Sequence, residues 1–272
     1  MVKFINPNKK KVKSPSKSSG GYRKFKDSFA FLKWVDPFTY VDLFVMPKVK
    51  KVTNSEVVEF LVNAVFAFIF AAVIYTVLGL LFGTSSPLVI VYSASMEPTF
   101  FRGDVMALSK ANVTDGFGVE VTIPRAINGI GVYDYLTPSY SSGQLSSIYF
   151  NDVGVSVVPD TSGGVVVYNS NVFNKQIIHR AIVKIHASDG DYLLTKGDNA
   201  ITNGTFDQDC GVVLNGVIKK SCITLYAIPL NEVVGKTFFT IPKVGCVKLW
   251  LLDDLVSLLV TGNLPRDFKG IC

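Results

Sequence analysis

Residues 60–82 read FLVNAVFAFIFAAVIYTVLGLLF, 23 positions from Phe60 to Phe82 without a charge. At about 1.5 Å rise per residue such a helix spans roughly the 30 Å hydrocarbon core of a bilayer. The flanks fit a helix with two defined ends. Thr53 and Glu56 stand at capping-box spacing before it, and Gly83, Ser85, Ser86 and Pro87 stop it, so a transmembrane helix is predicted within 53–83. A cleaved signal peptide would lie within the first ~15–30 residues and carry an apolar stretch of only ~7–15. A buried core helix seldom lacks a polar face over this length.

Charge divides around this segment. Residues 1–59 hold 13 Lys and Arg against 5 Asp and Glu, whereas residues 60–272 hold 14 against 16. The positive-inside rule therefore predicts a single-pass protein of the cell membrane, with a cytoplasmic N-terminus and everything from residue 84 outside. Because the main domain is near neutral, the high pI is no argument for nucleic acid, and the basic arm suits anionic lipid headgroups instead. Residues 1–27, rich in Lys, Ser, Gly and Pro, read as a disordered cytoplasmic arm. Residues 28–52 mix Phe29, Trp34, Phe38, Tyr40 and Phe44 with charges and prolines, which suits an interfacial segment.

Beyond the helix, short runs of Val, Ile, Tyr and Thr broken by Gly, Ser and Asn predict a mainly β domain over 84–246. Residues 111–163 within it are strand-like and carry no recognisable chemistry. In the tail, 247–272, Leu249, Leu252, Leu255, Val256 and Leu259 recur at helical spacing, predicting a short amphipathic helix too short to span a membrane.

Chemistry is concentrated after Leu88-Val89-Ile90-Val91-Tyr92, where Ser93-Ala94-Ser95-Met96-Glu97-Pro98-Thr99 leaves a strand. Serine at a strand exit is also an ordinary turn residue, so a nucleophile needs a base nearby. Two histidines are available. Alternation from Ile177 to His186 puts His179 on the face of Ile177, Ala181, Val183 and Ile185, and leaves His186 in charged, solvated company. A histidine on an apolar face is either a bonded core residue or the dry, fixed base that a serine requires. Lys184, an alternative base, falls on the opposite face by the same count. Asp198, in the turn Lys196-Gly197-Asp198-Asn199, is placed to bring a carboxylate toward the histidine, or to serve only the turn.

The stretches Ser93 to Thr99 with Arg102-Gly103-Asp104, Gly164 to Tyr168, Ile177-Ile178-His179-Arg180, Thr195 to Asn199 and Val233-Val234-Gly235-Lys236 resemble successive boxes of type I signal peptidases. Histidine before Arg180 is similar to the archaeal and endoplasmic-reticulum branch, where bacterial members have lysine. The resemblance covers about 84–110 and 164–250, leaving 111–163 as an insertion. It implies a mainly β, signal-peptidase-like catalytic domain behind one N-terminal transmembrane helix. It also implies a membrane-bound serine endopeptidase, working without metal or cofactor, that removes signal peptides from secreted preproteins. Its partners would be preprotein signal peptides, the lipid bilayer and a secretion translocon.

Residue by residue, the resemblance implies Ser95 as nucleophile and His179 as base. Ser93 would support the oxyanion with the Ser95 backbone N–H, and Asp198 with a second downstream carboxylate would orient His179. The loop after Asp198 is longer than the family pattern. The second carboxylate is therefore Asp207, the first one reached, or Asp209. Cys210 and Cys222 bracket the segment just behind, and in an outside domain a bridge between them is expected, with two buried thiols the alternative. A membrane-tethered binding or assembly protein that keeps this fold without catalysis is the competing reading.

Overall fold

The computed structural model describes residues 36–53, 55–211, 213–214, 217–218 and 222–263. The basic arm, the start of the aromatic segment (28–35) and the end of the tail with Cys272 lie outside them. The chain forms two units, Met1–Val73 and Ile74–Cys272.

In the first unit a helical run is built from α1 (Pro37–Tyr40), a π-helical turn (Val41–Val45) and α2 (Met46–Val52). Asp36 caps α1 by accepting from the Phe38 N–H at 3.0 Å, and Pro37 supplies the preset φ of a first helical position. Val41 and Met46 are buried, and the Phe38 ring meets Phe66 edge-on at 5.5 Å. Phe66 belongs to α3 (Glu56–Phe82), none of whose side chains is fully buried. Among the described residues α3 is the one helix long and apolar enough to cross a membrane. It stops at Gly83, whose φ of +66° a side chain would disfavour.

The second unit is mainly β, as the sequence predicts. Its large sheet runs β1 (Leu88–Ile90), β2 (Val105–Ser109), β13 (Gly235–Ile241), β7 (Val165–Asn169), β8 (Gln176–Ala187), β9 (Gly190–Lys196) and β12 (Ile228–Pro229). These neighbours pair antiparallel, while β3 (Val119–Thr122) joins the far half of β8 in parallel. The expected insertion supplies β3 and a separate three-stranded sheet of β4 (Leu136–Ser141), β5 (Gln144–Phe150) and β6 (Val155–Val157). A small hairpin pairs β10 (Val213–Leu214) with β11 (Val217–Ile218). The tail forms a short helix, α4 (Cys246–Lys248), a π-helical turn (Leu249–Leu255) and α5 (Val256–Thr261), which keeps Leu249 buried and Leu252 and Leu259 exposed.

The face assignment along β8 needs correction. Ala181 pairs with Thr195 but Val183 pairs with Leu194, so β8 carries one extra residue at Ile182. A bulge of this kind inverts the alternation beyond it. Lys184 pairs with Leu193, which packs with Ala181 and Val166, and so lies on the His179 side of the sheet rather than the opposite one. It is nearly fully buried, with its ammonium on the Val113 carbonyl and 3.2 Å from Glu120 Oε1. His186, half-buried, lies between Asp191 at 2.5 Å and Glu120 at 3.1 Å.

Candidate active site

Ser95 sits in a single 3-10 turn (Ala94–Met96) just past β1, entered through an extended Ser93. The turn is anchored from below by Met96, buried with Val91, Met106, Leu108, Val165 and Val167. Behind it, the Ser95 carbonyl accepts from the Asn199 N–H at 2.9 Å and the Asn203 side-chain amide at 3.3 Å. The Ala94 carbonyl accepts from Asn199 Nδ2 at 2.9 Å. This approach requires Gly197, because a Cβ there would lie 2.7 Å from the Ser95 oxygen and 2.6 Å from Asn203 Cγ.

His179, opposite Val166 in the β7–β8 ladder, is 2% exposed and bonded at both ring nitrogens. Its Nε2 lies 3.0 Å from Ser95 Oγ and its Nδ1 lies 2.7 Å from Asp207 Oδ2. A carboxylate accepts and does not donate. The ring therefore carries its hydrogen on Nδ1, and the Nε2 lone pair faces the serine hydroxyl. Ser93 Oγ is 3.1 Å from Ser95 Oγ.

The carboxylate beside His179 is that of Asp207, which also accepts on Oδ2 from Tyr168 OH at 2.8 Å and Thr195 Oγ1 at 2.6 Å. Burial, together with the Asp207 charge, pushes the Tyr168 phenol well above its ordinary value and keeps it a donor. Tyr168 and Thr195 fall within the stretches that resemble signal peptidases, but nothing in the local sequence assigns them a role. Their shared signal is strand register, since Thr195 pairs with Ala181 and Tyr168 lies one alternation along β7 from Val166.

Asp198 does not reach His179, and that expectation is corrected. Its carboxylate takes a fork from Arg180, Nε to Oδ1 at 2.8 Å and the second guanidinium nitrogen to Oδ2 at 2.6 Å, and accepts from Thr99 Oγ1 at 2.6 Å. Arg180 follows His179 and so leaves the strand on its other side, drawing Asp198 with it. Burial opposes the charge, yet the Arg180 and Thr99 hydrogen bonds and the Arg180 charge outweigh it and hold the Asp198 carboxyl below its usual value. Asp198 thus ties the serine loop to β8. Lys196 is pulled down by burial, against the opposing charges of Asp198 and Asp207.

Asp209 points away from the histidine, its two oxygens accepting from the Tyr133 and Tyr140 hydroxyls. Cys210 is joined to Cys222 by a disulfide across 12 positions. In front of Ser95 and His179 lies a cleft of about 200 Å³, lined by Val91, Met96, Ile177, Ile178 and Asn203 among others. It shares Ile90, Tyr92, Gln176 and Ile178 with a wider cavity of about 900 Å³ that extends to Tyr75 of α3.

No protein-family model matches the chain. Curated relatives do. The signal peptidase complex catalytic subunit of Scheffersomyces stipitis is 26% identical over 202 residues, 74% of this chain and 87% of that one. That of Schizosaccharomyces pombe is 28% identical over 192 residues, covering 70% and 80%, and that of Saccharomyces cerevisiae 26% over 196, covering 71% and 83%. Similarity of this extent makes the chain a homologue of the signal peptidase complex catalytic subunits, which stand in the endoplasmic-reticulum and archaeal branch of type I signal peptidases.

Proposed function

We propose that this chain is a membrane-anchored serine endopeptidase that removes N-terminal signal peptides from preproteins through an acyl-enzyme. The observation that carries the reading is the continuous path from Ser95 Oγ through both nitrogens of His179 to Asp207. Ser95 Oγ attacks the scissile carbonyl while its proton passes to His179 Nε2. Asp207 stabilises the imidazolium so formed. Collapse breaks the C–N bond as His179 returns the proton to the leaving amine. Water then repeats the sequence on the ester and frees Ser95. The oxyanion is supported by the Ser95 N–H and by the Ser93 hydroxyl, which is free to turn toward it as Ser95 Oγ bonds to the carbonyl carbon.

The small cleft at Ser95 suits short side chains before the cut, and the wider cavity, whose wall includes Leu88, Val89, Ile90 and Ile178 beside Lys175 and Lys248, suits an apolar segment leaving the bilayer. The chain spans the membrane once, with residues 1–59 cytoplasmic and the β domain on the side to which preproteins are exported. The relatives are named as subunits of a complex, and companion subunits together with the secretion translocon are the partners we assign here.

Full-length protein purified in detergent is incubated with a preprotein, and the cut is located by mass spectrometry. One cut after a small residue is expected, reduced to background in Ser95→Ala. A Ser95→Ala variant retaining more than about a tenth of wild-type turnover would remove the assignment, because such a group normally contributes several orders of magnitude.

A further inference from the structure

Residues 111–163 contribute no group to the Ser95–His179–Asp207 path and do not line the cleft in front of it. They nonetheless grip the loop on which that path depends. The loop from Gly197 to Cys210 has two jobs. Near its start Asn199 and Asn203 hold the Ser95 carbonyl, and near its end Asp207 meets His179.

Among the described residues, hydrogen bonds join the 111–163 segment to this loop at three places, and Phe206 of the loop packs in the same core as the segment. At the β4–β5 turn, Gln144 Nε2 donates to the Ala200 carbonyl at 2.7 Å and the Leu145 N–H donates to the Gly204 carbonyl at 2.8 Å. The fit at Gly204 is close, for a Cβ there would come within 2.3 Å of the Gly143 oxygen. The third contact is Asp209, 1% exposed, whose two oxygens accept from Tyr133 in the turn before β4 and from Tyr140 on β4. Burial and the Asp209 carboxylate both push these phenols above their ordinary value, so they stay donors across the working pH range.

The segment is itself fixed to the strand that carries the base. Ile123, Leu136, Ile148 and Phe150 pack in one core with Ile182 and Val183 of β8 and Leu194 of β9. A buried carboxylate held by Tyr133, which packs against that core, and by Tyr140 on the strand that carries Leu136 has little freedom to move.

We infer that residues 111–163 are a positioning brace, in which Tyr133 and Tyr140, acting through Asp209, keep Asp207 and the loop behind Ser95 in register with His179. The inference rests on the proposed catalytic roles of Ser95, His179 and Asp207. Tyr133 and Tyr140 are positioning residues and touch no substrate. Their loss therefore lowers kcat and leaves KM alone, since displacement by about 1 Å at a reacting centre can cost on the order of 100-fold.

The test uses full-length protein and a preprotein substrate, with circular dichroism melts establishing that each variant is folded at the assay temperature. Tyr133→Phe/Tyr140→Phe is expected to lower kcat about tenfold with KM within about twofold. Tyr149→Phe, an exposed tyrosine on β5, is expected to change neither. Asp209→Ala should reproduce the loss, and combining it with the two tyrosine changes should add nothing, because coupled groups are not additive. A folded double variant with wild-type kcat, or losses that simply add, would overturn the brace. Should the double variant not be folded, Tyr140→Phe alone is read in the same way. Ser95→Ala in the same assay separates the two ideas: wild-type turnover there sinks the catalytic reading, whereas an inert Ser95→Ala beside a fully active tyrosine pair sinks only the brace.

Discussion

Replacing Asp207 by Asn keeps the size of the side chain while removing its charge, and the consequence can be worked from the contacts. In the native site Asp207 Oδ2 accepts from His179 Nδ1 at 2.7 Å, which leaves Nε2 unprotonated and 3.0 Å from Ser95 Oγ. An amide nitrogen turned toward Nδ1 would donate instead, so the ring would carry its hydrogen on Nε2 and offer the serine no acceptor. The imidazolium formed during attack would also lose its counter-charge. Loss of this kind lowers kcat by about 10⁴, or roughly 5.5 kcal/mol of barrier. Asp207→Ala should be equally inactive and less stable. It leaves His179 Nδ1, Tyr168 OH and Thr195 Oγ1 as buried donors without their acceptor, each costing about 1–3 kcal/mol. Single-turnover cleavage of a preprotein by the detergent-solubilised chain gives the rate, and thermal melts give the stability. An Asp207→Asn protein that kept more than about a tenth of the wild-type rate would refute the tautomer argument. An Asp207→Ala protein that melted no lower than the wild type would refute the account of the three donors.

Asp198 has a folded-state value below the ordinary carboxylate one, so its contribution to stability is present above the unfolded value and disappears as pH falls through the folded one. The melting temperature should decline as pH drops below about 4, with Asp198→Asn declining less steeply over the same range; parallel slopes would reject the linkage. Gly197→Ala should cost on the order of 100-fold in kcat, because its Cβ meets the Ser95 carbonyl at 2.7 Å and displaces the nucleophile turn, and an unaffected rate would show that the loop yields instead. Replacing both Cys210 and Cys222 by Ser should destabilise the β domain by roughly 3 kcal/mol, read as a lower denaturation midpoint; unchanged melts, or free thiols at these two positions in non-reducing peptide maps of the native chain, would contradict it.

Local pattern along the chain accounts for several of the features described. An uncharged run from Phe60 to Phe82 has one good solution in length and polarity, and α3 occupies Glu56–Phe82. The β texture after Pro87 and the strand exit at Ser93 likewise follow from composition and turn residues. Alternation put His179 on a buried face, correctly, because no bulge intervenes between Ile177 and Ala181. The same count failed at Lys184, since one extra residue at Ile182 inverts every face beyond it and leaves no mark in the local sequence. Lys184 is instead kept from the serine by its own bonds to Val113 and Glu120.

Which carboxylate meets the histidine was decided by tertiary structure. Asp198, Asp207 and Asp209 are alike as letters, yet Arg180 claims the first, His179 the second, and two tyrosines some 70 positions earlier the third. Those partners come from opposite faces of β8 and from a separate sheet, and contacts between elements so far apart in sequence are set by strand order and register rather than by spacing along the chain. The role of residues 111–163 was illegible for the same reason: their side chains act on a loop that the fold alone brings to them.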